Sequence, residues 1–179
     1  ASPDGLTGKA WVDMDYGPFK THSLEVSPGN MANKAIAIRV DSGPGGITRG
    51  EAFVLFETDT LRMAGGWTGP GFNNWRNIMH NGEHQTFASI VGQTVFENPD
   101  APGWSDANGG FDETRFLGRD NRYYGPMSKQ VGAWRGLYRH GDKVVLSYRV
   151  GETEVLELPG SEGPVGATVF TRSFEIGPR

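Results

Sequence analysis

Glycine and proline interrupt this chain so often that a long helix has almost nowhere to form. The 179 residues include 27 Gly and 11 Pro, and each interior Gly costs a helix about 1 kcal/mol relative to Ala. Helical periodicity is nearly absent. Short runs of β-forming residues bounded by turn residues recur instead. Phe19–Val26 lies between Gly17-Pro18 and Ser27-Pro28-Gly29, and Ala35–Val40 ends in Asp41-Ser42-Gly43-Pro44. Ala52–Thr58 and Thr86–Val91 read the same way. Gly136–Arg139, Lys143–Val150 and Thr153–Leu158 are joined by His140-Gly141-Asp142 and Gly151-Glu152, which predicts a three-stranded antiparallel meander. The alternation in Thr153–Leu158 is imperfect, because Glu154 and Glu157 interrupt Val155, Leu156 and Leu158. A further strand is expected at Ala167–Ile176. About eight to ten short strands at this spacing predict an all-β chain folded as one antiparallel, jelly-roll-like β-sandwich over 1–179.

Composition removes several chemistries. The sequence has no Cys, which excludes disulfides, thiol nucleophiles, cysteine-ligated metals and covalent haem attachment through C-x-x-C-H. A net charge of −4 argues against a nucleic-acid surface, which is usually basic. Apolar runs are short, so no membrane insertion is expected. No 20–50-residue repeat marks a solenoid or propeller.

Two irregular stretches break the strand rhythm, near 65–84 and 97–128. Loops this long in a compact domain are usually functional or held by a ligand, an ion or a neighbour. Both are aromatic, with Trp67, Phe72 and Trp75 in the first and Trp104, Phe111, Phe116, Tyr123 and Tyr124 in the second. Trp67, Trp75, Trp104 and Tyr124 offer faces for a sugar ring, with Asn73, Asn74, Arg76 and Asp106 to bond its hydroxyls. The competing reading makes the same rings satellite cores that plug the loops onto the sheet. Asp59 and Arg62, flanking Thr60-Leu61 after a strand, would either orient ligand hydroxyls or form an ordinary ion pair. His80 and His84 are four residues apart across Asn81-Gly82, a turn signal, and lack an evident third metal ligand. Asp13 and Asp15 alternate, as they would on one side of an extended segment. Asp100, Asp106, Asp112 and Glu113 make the second stretch oxygen-rich, which suits Ca²⁺ although EF-hand spacing is absent. No serine sits in a nucleophile-elbow context. Acidic and His residues of the two loops leave a polysaccharide-active enzyme open as an alternative to a binding module, and a purely structural interface domain as a third.

The strings Met14-Asp15-Tyr16-Gly17-Pro18-Phe19, Lys34-Ala35-Ile36-Ala37-Ile38 and Tyr138–Tyr148 carry a resemblance, as does the longer Phe56-Glu57-Thr58-Asp59-Thr60-Leu61-Arg62-Met63-Ala64-Gly65-Gly66-Trp67-Thr68-Gly69. Together they resemble an N-terminal module, a domain of unknown function, of secreted multidomain proteins from planctomycetes and verrucomicrobia. In such proteins the module precedes a sugar-dehydrogenase-like β-propeller and often a c-type cytochrome domain. The run Asn77–His84 departs from the family's glycine-rich pattern. The resemblance implies an extracytoplasmic, periplasmic or secreted setting. It also implies a propeller or cytochrome partner that performs redox chemistry, since this chain has no cysteine to hold a haem. It assigns no catalytic residue.

Overall fold

The computed structural model describes residues 8–43, 50–74, 87–163 and 167–178. Two sheets face each other; the second follows the chain as a meander, and the first does so from β1 to β4. After a single helical turn, α1 (Ala10–Asp13), the first sheet takes β1 (Phe19–Ser27), β2 (Asn30–Arg39), β3 (Ala52–Glu57), β4 (Arg62–Thr68), β5 (Ala88–Ser89) and β6 (Gln93–Glu97). Their order is β5-β1-β2-β3-β4-β6, antiparallel except for the two-residue β1–β5 pairing. A small ribbon follows, made of β7 (Phe116–Leu117) and β8 (Tyr123–Tyr124). The second sheet contains β9 (Gly132–His140), β10 (Lys143–Val150), β11 (Thr153–Glu162) and β12 (Val169–Ile176), in the order β12-β11-β10-β9. The fold is the all-β sandwich expected from the turn spacing. Its connectivity is a β1–β4 meander, a crossover that carries β5 to the far edge and brings β6 back beside β4, and a second meander through β9–β12.

The first sheet is buried on both faces, which explains why Ala52–Phe56 is a continuous apolar run and not an alternating one. Its inner face contributes Ile36, Ile38, Val54, Phe56 and Met63 to a core shared with Val144, Leu146, Tyr148 and Val155 of the second sheet. Ring contacts set the alignment of the layers. Phe56 lies 5.5 Å from Tyr148 and 5.7 Å from Trp134, and Phe96 lies 5.5 Å from Phe170. Thus β3 sits under β10 and β9, and β6 under β12. The outer face holds a second core of Leu24, Ala35, Ala37, Phe53, Leu55, Trp67 and Phe72, with Tyr16 and Ile90 packed against it.

Several local expectations change. The stretch expected to be irregular from residue 65 begins inside β4, because Gly65 and Gly66 leave room for Val26 and the Phe96 ring against the strand. Asp13 closes α1 while the Asp15 carboxylate accepts the Gly17 N–H at 2.7 Å, so the two do not line one extended face. The imperfect alternation of Thr153–Leu158 arises because Glu157 points inward with Val155. Leu156 then pairs with Ser147 on the opposite side of the sheet.

Two glycines test the backbone. Gly151, in the β10–β11 turn, has φ +57° and open space where a Cβ would go. Gly92 has φ +108°, and a Cβ there would lie 2.1 Å from the Thr68 carbonyl oxygen. Gly151→Ala is therefore expected to cost about 1–2 kcal/mol, the ordinary left-handed penalty. Gly92→Ala should cost more, since the β4 backbone must also move. Urea unfolding of both variants checks the order, and equal losses would contradict the close approach.

Candidate functional site

The first sheet has six strands and the second has four, so the β1 side of the first sheet extends past its cover. Along β1, Phe19, Thr21 and Ser23 share the inward face, with Thr21 opposite Ile36. Trp134, Gly136 and Leu137 of β9 lie across from them. The result is an open cleft of about 520 Å³ whose floor and wall include Ile36, Trp134 and Leu137, and whose polar lining includes Thr21, Ser23, Asn33, Lys34 and Thr58. That volume is in the ordinary range of ligand sites. Trp134 is half-buried, held from behind by Phe56.

The polar lining is held in place by the backbone. Ser23 Oγ donates to the Asn33 carbonyl at 2.7 Å, and Thr58 Oγ1 donates to the Lys34 carbonyl at 3.0 Å. With their protons committed, both hydroxyls present lone pairs as acceptors. Asn33 N donates to Glu57 Oε1 at 2.9 Å, and Lys34 Nζ stands 3.4 Å from Asp59 Oδ1. His22 also borders the cleft. Its Nε2 is buried without a hydrogen-bond partner among the described residues. Burial, reinforced by the charge on Lys20, pulls its pKa from 6.5 down to about 4.

Behind the cleft lies a buried charge network. Arg62 donates from Nε to Glu57 Oε2 at 2.8 Å, and from its terminal nitrogens to Asn30 Oδ1, the Asn98 carbonyl and the Met31 carbonyl at 2.9, 3.0 and 2.8 Å. Thr60 Oγ1 adds a bond to Glu57 at 2.9 Å. Asp100 links this group to a second buried guanidinium, standing 3.7 Å from Arg62 and 2.9 Å from Arg115, which also grips Glu113 at 2.6 Å. Burial opposes the charge on Arg115, but hydrogen bonds to Glu113 and Asp100 outweigh it and hold the pKa above the usual arginine value. The same contacts outweigh burial at Glu113 and pull its carboxyl below the usual range.

Against this geometry, Trp67, Trp104, Asp59 and Arg62 each have packing or ion-pair partners of their own within the fold. Trp67 is fully buried, stacked on Phe53 at 5.4 Å, with its indole N–H donated to the Gly71 carbonyl at 3.1 Å. It belongs to the outer-face core and offers no surface to a sugar. Trp104 packs on the inner core, 6.1 Å from Tyr148 and 6.2 Å from Phe174. Asp59 and Arg62 do not pair with each other, because Asp59 turns to Lys34 and Arg62 to Glu57. Tyr124 stays at the surface of the β7–β8 ribbon and donates its hydroxyl to Asp120 at 2.5 Å. Trp75, Arg76, His80 and His84 lie outside the described residues. In the oxygen-rich stretch the Asp100, Asp106 and Glu113 carboxylates turn to protein partners. Asp100 and Glu113 face Arg115, while Asp106 accepts the Asn108 and Gly110 N–H groups at 2.8 Å. No group of three or more metal-binding side chains occurs among the described residues.

Trp134, Thr21, Ser23, Asn33, Lys34 and Thr58 escaped the sequence reading. One signal was present: Thr21 and Ser23 fall on the same face as Phe19, polar residues on an inward stripe, which marks a strand end left uncovered.

Structurally this is a β-sandwich with an open cleft between β1–β2 and β9 and a salt-bridged loop packed against its buried charge network. A family model described as a domain of unknown function, DUF6797, matches residues 54–157. That is more than half of the chain, and the chain belongs to this family. No curated protein and no solved structure matches it.

Two outcomes follow from the buried groups. Arg62→Met leaves Glu57 charged and unpaired in the interior and should cost about 3–5 kcal/mol in chemical denaturation, while Glu57→Leu combined with Arg62→Met should recover a large part of it. His22 binds its proton at about 4 when folded and at its ordinary 6.5 when unfolded. The unfolded chain therefore holds more protons between those values, and stability falls as pH drops through them. Denaturant unfolding at several pH values in that window should show a shallower fall for His22→Gln; an unchanged slope would remove His22 from the balance.

Proposed function

We propose that this chain is a non-catalytic carbohydrate-binding module whose site is the open cleft between β1–β2 and β9. The observation that carries the reading is the Trp134 indole standing beside Ser23 and Thr58, whose hydroxyl protons are already committed to backbone carbonyls. An indole face matches the apolar C–H side of a sugar ring. Fixed acceptors and the Asn33 amide match its hydroxyls. The open shape suits a chain-like ligand that extends past the site. Binding is favoured over hydrolysis because the loop carboxylates Asp100 and Glu113 are held by Arg115, a pairing that supports folding and withholds them from acid–base work. The sequence resemblance supports an extracytoplasmic setting next to a sugar-dehydrogenase-like propeller or c-type cytochrome domain, to which a glycan-holding module would deliver substrate.

A docking role has its own support in the β7–β8 ribbon. There Phe116, Leu117 and Tyr124 are 75%, 49% and 38% exposed, an apolar grouping unusual for a freely solvated loop.

Isothermal titration against a panel of neutral and acidic oligosaccharides tests the primary reading. Trp134→Ala should weaken binding at least about tenfold, equivalent to about 1.4 kcal/mol. Because Trp134 also packs on Phe56, Thr58→Val at the rim provides a second variant that spares the core and should weaken binding too. Wild-type protein that binds no oligosaccharide, or variants that bind as well as wild type, would overturn it.

A further inference from the structure

The cleft carries one kind of charge. Its lining contains the ammonium of Lys34 and no carboxylate. The nearby acids are turned away from it: Glu57 is fully buried against Arg62, and the Asp59 side chain is 8% exposed while that of Lys34 is 65% exposed. Asp59 thus holds Lys34 from below without facing the ligand space. An ammonium has three donors, and a single contact to Asp59 at 3.4 Å leaves others to point over the cleft. His22, also at the border, stays uncharged at neutral pH because burial and the Lys20 charge hold its pKa near about 4. It adds no competing charge.

We propose that the cleft selects acidic oligosaccharides, with Lys34 bonding a carboxylate or sulfate on a sugar whose ring lies against Trp134. This rests on the carbohydrate-binding reading and names its substrate class. The chemistry is consistent with the surroundings. A charge-assisted hydrogen bond at a half-exposed rim is stronger than a neutral one. Asp59 keeps Lys34 extended in advance, which lowers the ordering cost of binding. Ser23 and Thr58 act as acceptors, so they hold neutral hydroxyls and repel an anion, leaving Lys34 as the point at which the acidic group must sit.

Titration calorimetry on the whole chain uses three probes: oligogalacturonate, the same oligomer with its carboxylates methyl-esterified, and a sulfated oligosaccharide of similar length. Wild type should bind oligogalacturonate or the sulfated oligomer about tenfold or more tightly than the methyl ester, and which of the two is preferred identifies the anion. Lys34→Met should erase that preference, and Lys34→Arg should restore it. Added salt should weaken acidic binding alone, as expected for a rim contact. Equal affinity for the acid and its ester, or a preference that survives in Lys34→Met, overturns the selection by Lys34 while leaving the carbohydrate site standing. Failure of wild type to bind all three probes and the neutral panel overturns both.

Discussion

The guanidinium of Arg62 is where three otherwise separate pieces of backbone are tied together. It bonds Glu57 at the end of β3, the Met31 carbonyl and Asn30 side chain at the start of β2, and the Asn98 carbonyl just past β6. All of this occurs at 3% exposure, where an unpaired charge is strongly destabilising. The pair is tolerated because every polar direction is used: Glu57 is further bonded by Thr60 and by the Asn33 N–H. Through Asp100 the constraint passes to Arg115 and Glu113, and so into the long irregular segment. A stretch with few strand pairings of its own is thereby tied to the sheets through buried ion pairs.

That same constraint shapes the cleft. The Asn33 N–H is fixed by Glu57, and Asn33 and Lys34 in turn offer the carbonyls that orient Ser23 and Thr58. The cleft exists because six strands face four and the alignment is set by aromatic contacts near the centre, leaving β1 beyond the cover. The proposed sugar site is thus a by-product of unequal sheet widths, stiffened by a buried ion pair one layer below. A second buried acid, Glu157, serves the other sheet in a parallel way. It accepts the Tyr148 hydroxyl at 2.6 Å and the Arg172 guanidinium at 2.6 and 3.0 Å, and burial together with this carboxylate raises the Tyr148 pKa.

Much of the sandwich could be read from punctuation. Lys143–Val150 and its two short turns appear as expected, and β1, β3 and β12 lie within a residue or two of their anticipated limits. β4 was missed, because Gly65, Gly66 and Trp67 read as loop residues when taken alone. They become a strand only because β3 and β6 lie on either side, with the glycines making room for their neighbours. The site was less legible. Trp67 and Trp104 drew attention as loop aromatics, yet large rings in glycine-rich segments are what such segments use to anchor themselves. Trp134 lies just before the strand expected at Gly136–Arg139 and carries no local signal of a site. Its role depends on the absence of a strand above β1, and strand count in the opposite sheet is not written near residue 134.

By itself the sequence determined that this chain is all-β, cysteine-free and turn-rich. Backbone punctuation and residue type act locally and survive any arrangement of the strands. Only the tertiary structure decided which charges pair and which aromatic is accessible. The Asp59–Arg62 neighbours in sequence separate to Lys34 and Glu57 because burial makes an ion pair depend on the whole shell of donors around it. Likewise, a tryptophan becomes core or platform according to whether another strand happens to cover it.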